Sequence, residues 1–116
     1  MWYAKGNTYY LNNIVCLDTE TSHNNICGWI YQWAVLDEDA LYYGRKPSEI
    51  IELLKEFVKQ YNLDSTHKMV IYVHNLSYDL TYLFKWLFDY DSSCEVFWMD
   101  SHKALTCRLT CFEFRC

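Results

Sequence analysis

Proline and glycine are scarce in this chain, with one proline and three glycines among 116 residues. So low a content argues against disordered segments and against a flexible linker between domains. No apolar run approaches the roughly 20 residues that a membrane-spanning helix needs, and the N-terminus leads into no apolar stretch typical of a signal peptide. We therefore expect one domain, residues 1–116, without a membrane segment.

Basic residues are also few, since ten lysines and arginines stand against fifteen aspartates and glutamates, for a net charge of −5. Most nucleic-acid-binding proteins carry a basic surface, which this composition does not supply in bulk. The acidic balance fits either a cluster of metal-binding carboxylates or a partner protein with a basic surface. The six cysteines show no C-x-x-C spacing, which argues against a structural zinc site. Since neither a signal peptide nor a membrane segment is predicted, reduced thiols in a cytoplasm are the simplest interpretation.

Apolar and β-branched runs predict a mixed sheet. Residues 13–17 form a central strand, and 27–36 and 40–43 follow it as an antiparallel meander. A helix then begins near residue 47 with Ser48 as its N-cap. The next strand, 69–73, should lie parallel to the first because a crossover helix joins them.

A second helix, capped by Ser77, is predicted from residue 78 to about 88, and 96–99 and 104–114 are predicted as further short strands. His74 is interpreted as a core histidine. The order of elements indicates an α/β protein with a partial ribonuclease H-like fold. One face of its sheet should stay uncovered by helices, unless the aromatic residues, 19% of the chain, or a partner cover it.

Carboxylates follow two of the predicted strands. Asp18 and Glu20 are separated by one residue, so on a strand they point the same way, about 7 Å apart. Asp79 lies in the first turn of the second helix. Three acids at neighbouring strand ends would form a site for Mg²⁺ or Mn²⁺, the ions favoured by oxygen ligands. The alternative interpretation of Asp18 and Glu20 is an exposed acidic strand end.

Polar residues precede Asp79 in the segment 74–79, His-Asn-Leu-Ser-Tyr-Asp. Asn75 can hydrogen-bond a sugar or phosphate, and it can equally cap the helix that follows. Tyr78 offers a ring on which a base can stack. The segment therefore combines carboxylate, amide and aromatic groups suited to a nucleic acid.

Segments 17–21 (Leu-Asp-Thr-Glu-Thr) and 74–79 resemble the first and second exonuclease motifs of family-B DNA polymerases, in the DEDD exonuclease superfamily. The protein-primed polymerases of small phages and linear plasmids are the most similar, and the likeness covers about residues 14–99. The resemblance implies a 3′–5′ exonuclease with two Mg²⁺ or Mn²⁺ ions. It implies a catalytic and metal-binding set, Asp18, Glu20 and Asp79, and a set that contacts single-stranded DNA, Thr21, Asn75 and Tyr78.

The third motif of that family, Tyr-x-x-x-Asp, does not occur after Asp79 in this sequence. Two interpretations follow. In the first, the chain is a stand-alone phage or mobile-element domain, truncated before that motif and weak or inactive in catalysis. It would bind a nucleic-acid-processing protein, for example as an inhibitor of a host defence nuclease. In the second, it is a metal-dependent proofreading exonuclease fragment that acts on single-stranded DNA. Whether the chain is an enzyme stays open at this point.

Overall fold

The computed structural model describes residues 1–24, 28–101 and 103–116. In these ranges nine strands and two helices are present. The strands are β1 (Trp2–Lys5), β2 (Thr8–Leu11), β3 (Val15–Asn24), β4 (Gly28–Asp37), β5 (Ala40–Gly44), β6 (His67–Val73), β7 (Glu95–Trp98), β8 (Ala104–Arg108) and β9 (Phe112–Arg115). The helices are α1 (Pro47–Tyr61) and α2 (Leu76–Tyr90). Neither helix is long and apolar enough to cross a membrane.

The strands form one mixed sheet in the order β5-β4-β3-β6-β9-β8-β7, to which the β1–β2 hairpin is added through β2 and β6. Strands β3, β4 and β5 form the predicted antiparallel meander. Strand β6 lies parallel to β3 after the crossover through α1, also as predicted. The fold is therefore α/β with a mixed sheet, compatible with a partial ribonuclease H-like fold.

Both helices pack on the same face of the sheet. The Phe57 ring of α1 lies 5.7 Å from the Tyr42 ring of β5, and Asp79 of α2 accepts a hydrogen bond from Thr19 of β3. We call this side the covered face; on the meander it carries Val15, Leu17, Thr19, Trp33, Val35 and Tyr42. The opposite side, the open face, carries Cys16, Asp18, Glu20, Gln32, Leu36, Leu41 and Tyr43.

Helix caps differ from the prediction. Ser48 is not the N-cap of α1; the cap is Lys46, and Pro47 takes the first helical position, where its fixed φ suits the helix and its missing N–H is not needed. The assignment of Ser77 as the cap of α2 is also wrong. The cap is Asn75, whose side-chain oxygen accepts a backbone N–H at 3.4 Å, and this confirms the alternative interpretation of that residue.

Strand boundaries differ as well. The first predicted strand extends to Asn24 because β3 pairs with β4 along its whole length. The predicted strand 104–114 is divided into β8 and β9 by a turn closed by a hydrogen bond from Leu109 N–H to Phe112 O, 2.8 Å long. The predicted start of the second strand, Cys27, lies outside the described residues. The β1–β2 hairpin was missed, although Gly6-Asn7 between β-forming residues is a hairpin signal.

Candidate functional site

Asp18 and Glu20 lie in the middle of β3 and not at its end. Both side chains are exposed on the open face, and Thr19 between them is buried on the covered face. Asp18 lies opposite Ala34 and Glu20 opposite Gln32 on β4. The two carboxylates line one open cavity of about 680 Å³. The prediction that they project from one strand on the same side is confirmed.

Basic residues that the sequence reasoning missed line the same cavity. Arg45 and Lys46, both exposed, connect β5 to α1. Their backbone N–H groups donate to Glu49 Oε1 at 2.9 and 2.7 Å, and these bonds lower the pKa of Glu49. The Glu49 side chain therefore holds the backbone of Arg45 and Lys46 at the cavity that the carboxylates line. Two adjacent basic residues just before the predicted helix were the feature of the sequence that indicated a positive charge here.

Gly44 allows β5 to pack closely at this cavity. A Cβ atom there would lie 2.7 Å from both Glu49 Oε1 and Trp33 Nε1, closer than real Cβ contacts allow. Its neighbour Tyr43 is 78% exposed and turns its ring outward on the cavity wall. The cavity thus brings together carboxylates, cations and one accessible aromatic ring.

Asp79 occupies a different environment. It is 4% exposed on the covered face, where the Thr19 hydroxyl donates to it. Burial raises the pKa of Asp79, and the charge of Asp18 raises it further, whereas the bond from Thr19 lowers it. The carboxyl group is therefore held within the protein, within electrostatic reach of Asp18 but on the other side of the strand.

The structure does not gather the three predicted carboxylates into one metal cluster. In the described ranges, 1–24, 28–101 and 103–116, no group of three or more His, Cys, Asp or Glu side chains could hold a metal ion. Asp18 and Glu20 remain together on the open face. Mg²⁺ commonly takes one or two carboxylates and completes its shell with water and substrate phosphate. The pair matches this number of carboxylates, whereas the set of three is not gathered as a two-metal centre would need.

The predicted DNA-contacting residues lie at the same end of α2. The Thr21 and Tyr78 hydroxyls hydrogen-bond each other, and Asn75 is the helix cap. The Tyr78 ring lies 5.5 Å from Tyr82, and Tyr82 lies 5.7 Å from Tyr31. Tyr31 and Tyr82 were missed, although Tyr78 and Tyr82 are four residues apart on a helix and so share a face.

His74 is not a core histidine, contrary to the prediction. Its side chain is exposed and lines a second cavity together with Asp18 and Tyr72. The pairing of β6 with β3 ends at Val73, so His74 leaves the sheet immediately beside the carboxylates. His74 therefore adds an imidazole to the groups around Asp18.

Comparisons with protein-family models, with curated proteins and with solved structures found no match to this chain.

Proposed function

We propose that this protein is an exonuclease-like domain that binds the 3′ end of single-stranded DNA together with a divalent cation at Asp18 and Glu20. The observation that carries the proposal is the shared exposure of these two carboxylates in one cavity with Arg45 and Lys46. Carboxylates attract the cation, and the cation and the basic pair attract phosphate. The motif resemblance points to the same substrate.

Local charge supports this proposal despite the acidic composition. The net charge of −5 repels DNA at long range, but the exposed Arg45 and Lys46 at the cavity act on phosphate at contact distance, and such contacts are sensitive to salt. Tyr43, exposed at the cavity wall, offers a face for a base, and stacking is worth about 1–3 kcal/mol per base. We therefore expect binding that depends on the cation and weakens at high salt.

Asp79 has a positioning role in this proposal. Its bond to Thr19 fixes the strand segment that lies between the two exposed carboxylates. Because the sequence has no third-motif carboxylate after Asp79, we expect this chain by itself to cleave DNA weakly or not at all.

The test is binding of a fluorescent single-stranded oligonucleotide, measured by anisotropy with Mn²⁺ and again with EDTA. Asp18→Ala and Glu20→Ala should each weaken Mn²⁺-dependent binding by about tenfold or more, because even changes outside a metal's immediate ligands cost about 10–100-fold in affinity. Glu95→Ala is the matched control, since Glu95 is an exposed strand carboxylate on β7. Degradation of the labelled strand is followed in the same samples.

Equal binding with Mn²⁺ and EDTA, or binding unchanged by Asp18→Ala, would contradict the proposal. Rapid degradation that Asp18→Ala abolishes would retain the site assignment but overturn the expectation of weak cleavage.

A second candidate is a module that binds a nucleic-acid-processing protein. The observation that favours it is the apolar character of the open face, where Leu41 is 61%, Leu36 45% and Tyr43 78% exposed. Exposed apolar residues on the face that also carries Asp18 and Glu20 suit a partner whose basic surface normally holds DNA. Under this candidate, Leu41→Asp should abolish inhibition of a target nuclease, whereas Asp18→Ala should leave it intact.

A further inference from the structure

Two buried thiols touch each other at the end of the molecule away from the carboxylates. Cys94, in the loop after α2, and Cys107, on β8, have Sγ atoms 3.3 Å apart. Cys94 is 7% exposed and Cys107 is fully buried, and both are free cysteines. A disulfide bond needs the two sulfur atoms to approach to about 2.05 Å, so little more than 1 Å of movement separates the two states.

Neighbouring hydrogen bonds hold the loop that carries Cys94, and strand pairing holds Cys107. The backbone N–H of Cys94 donates to Asp91 O at 3.1 Å, and the Asp91 carboxylate accepts the Thr110 N–H at 2.7 Å. Asp91 itself caps the end of α2. Cys107 on β8 pairs with Val96 on β7, and Val96 is two residues after Cys94. The pair is therefore pre-positioned by the fold on either side of a short hairpin.

We propose that Cys94 and Cys107 form a reversible intramolecular disulfide when the protein meets hydrogen peroxide, an oxidant small enough to reach a nearly buried thiol. The Cys94 thiolate attacks one peroxide oxygen, which breaks the O–O bond and gives a sulfenic acid and, after protonation, water. The Cys107 sulfur then attacks the Cys94 sulfur and displaces the hydroxyl group as a second water. In total, two thiols and one hydrogen peroxide give one disulfide and two waters. Two electrons pass from the sulfur atoms to the peroxide.

The order of the two cysteines follows from their surroundings. The hydrogen bond from Cys107 lowers the pKa of Cys94, whereas the same bond and burial raise the pKa of Cys107. Cys94 is also the more accessible of the two. Cys94 is therefore the thiol that reacts with peroxide first, and Cys107 resolves the sulfenic acid.

The disulfide would join β8 to the residue that precedes β7 and so close the β7–β8 hairpin. At the start of β8 the Ala104 N–H donates to Ser77 Oγ at 2.7 Å, in the first turn of α2, next to Tyr78 and Asp79. Closing a short loop restricts the unfolded chain, so the oxidised protein should unfold at a higher temperature. In a reducing compartment the pair returns to two thiols.

The experiment treats the native protein with hydrogen peroxide and measures intact mass, free thiols and melting temperature. We expect a mass loss of two hydrogen atoms, a non-reduced peptide joining Cys94 to Cys107, a higher melting temperature, and full reversal by dithiothreitol. Cys94→Ala and Cys107→Ala should each abolish all of these, with circular dichroism checking their folding. Cys16→Ser, at an exposed cysteine, is the control that should retain them.

Three outcomes would overturn the proposal. They are over-oxidation of Cys94 without a crosslink, a crosslink to Cys111, and a mass loss that persists in Cys94→Ala. If both alanine variants are unfolded, the peptide map of the wild-type protein still decides the question.

Discussion

The same strands form both faces of the β3–β5 meander, but the two faces differ in whether their polar side chains are buried or exposed. On the covered face, two polar pairs lie inside the protein: Thr19 donates to Asp79, and Tyr61 donates to Asp37. On the open face, the exposed side chains of Asp18 and Glu20 line a cavity. Adjacent residues of β3 therefore serve two purposes, and the period of two along a strand separates the core from the candidate site.

In a strand, residues that are adjacent in sequence do not lie on the same face of the sheet. Thr19 and its neighbours are consecutive, yet they point to opposite sides of the sheet. A motif that lists Asp18, Glu20 and Asp79 together contains two accessible carboxylates and one buried one. Stability experiments should therefore respond strongly to the covered face and weakly to the open face.

The largest expected effect comes from a pair of leucine truncations. Leu17→Ala removes a side chain that is 3% exposed on the covered face and should lower the free energy of unfolding by about 2–5 kcal/mol. Leu41→Ala, at a leucine 61% exposed on the open face, should change it by about 0.5 kcal/mol or less. Urea denaturation measures both. Equal losses for the two variants would mean that the open face is covered in solution, for example by a second copy of the chain.

Much of this contrast was predictable from the sequence, and the reason is the strand period. The meander, the parallel pairing of β3 with β6 and the shared direction of Asp18 and Glu20 follow from alternation and connection rules. The position of Asp79 did not follow, because only tertiary packing decides that its carboxyl group points to Thr19. Glu113 is a second example, since it is also buried. It accepts hydrogen bonds from Tyr10, remote in sequence, at 3.1 Å and from Arg115, near in sequence, at 3.0 Å.

A smaller effect should appear in the pH dependence of stability, through Asp79. Because burial raises the pKa of Asp79 in the folded protein, its protonated form favours folding. This contribution is complete below the ordinary value of 3.8 and is lost as the pH rises through the raised pKa of the native state. Asp79→Asn cannot ionise, so its free energy of unfolding should match the wild type near pH 3 and exceed it at pH 7.

Thr19→Val is the companion variant and should change the same curve in the opposite direction. Without the hydroxyl, the ionised carboxylate has lost a buried donor, which costs about 1–3 kcal/mol at neutral pH. The wild-type bond lowers the pKa of Asp79, so its removal should also steepen the decline with pH. Urea unfolding at several pH values measures both variants. A curve for Asp79→Asn that parallels the wild type would contradict the burial of this carboxylate.

The smallest effect separates the two interpretations of Asn75. Asn75→Ala removes the N-cap of α2 and should cost about 1 kcal/mol, with a loss of helical circular dichroism on heating. Asn75→Asp keeps a side-chain acceptor and adds a negative charge at a helix N-terminus, where the dipole favours it, so stability should be retained. Anisotropy of a bound oligonucleotide then reports on the other role, under conditions where both variants are folded.

A capping residue predicts that Asn75→Asp binds DNA as the wild type does, because the amide faces the helix and not the cavity. A DNA-contacting residue predicts that Asn75→Asp weakens binding more than Asn75→Ala, because a carboxylate repels phosphate whereas a methyl group merely omits a contact. If Asn75 only caps the helix, Asn75→Ala is the more damaging variant, through stability. If Asn75 contacts DNA, Asn75→Asp is the more damaging variant, through DNA affinity. The side-chain oxygen of Asn75 already accepts the capping hydrogen bond. We therefore expect Asn75→Ala to be the less stable variant, and both variants to bind DNA with the affinity of the wild type.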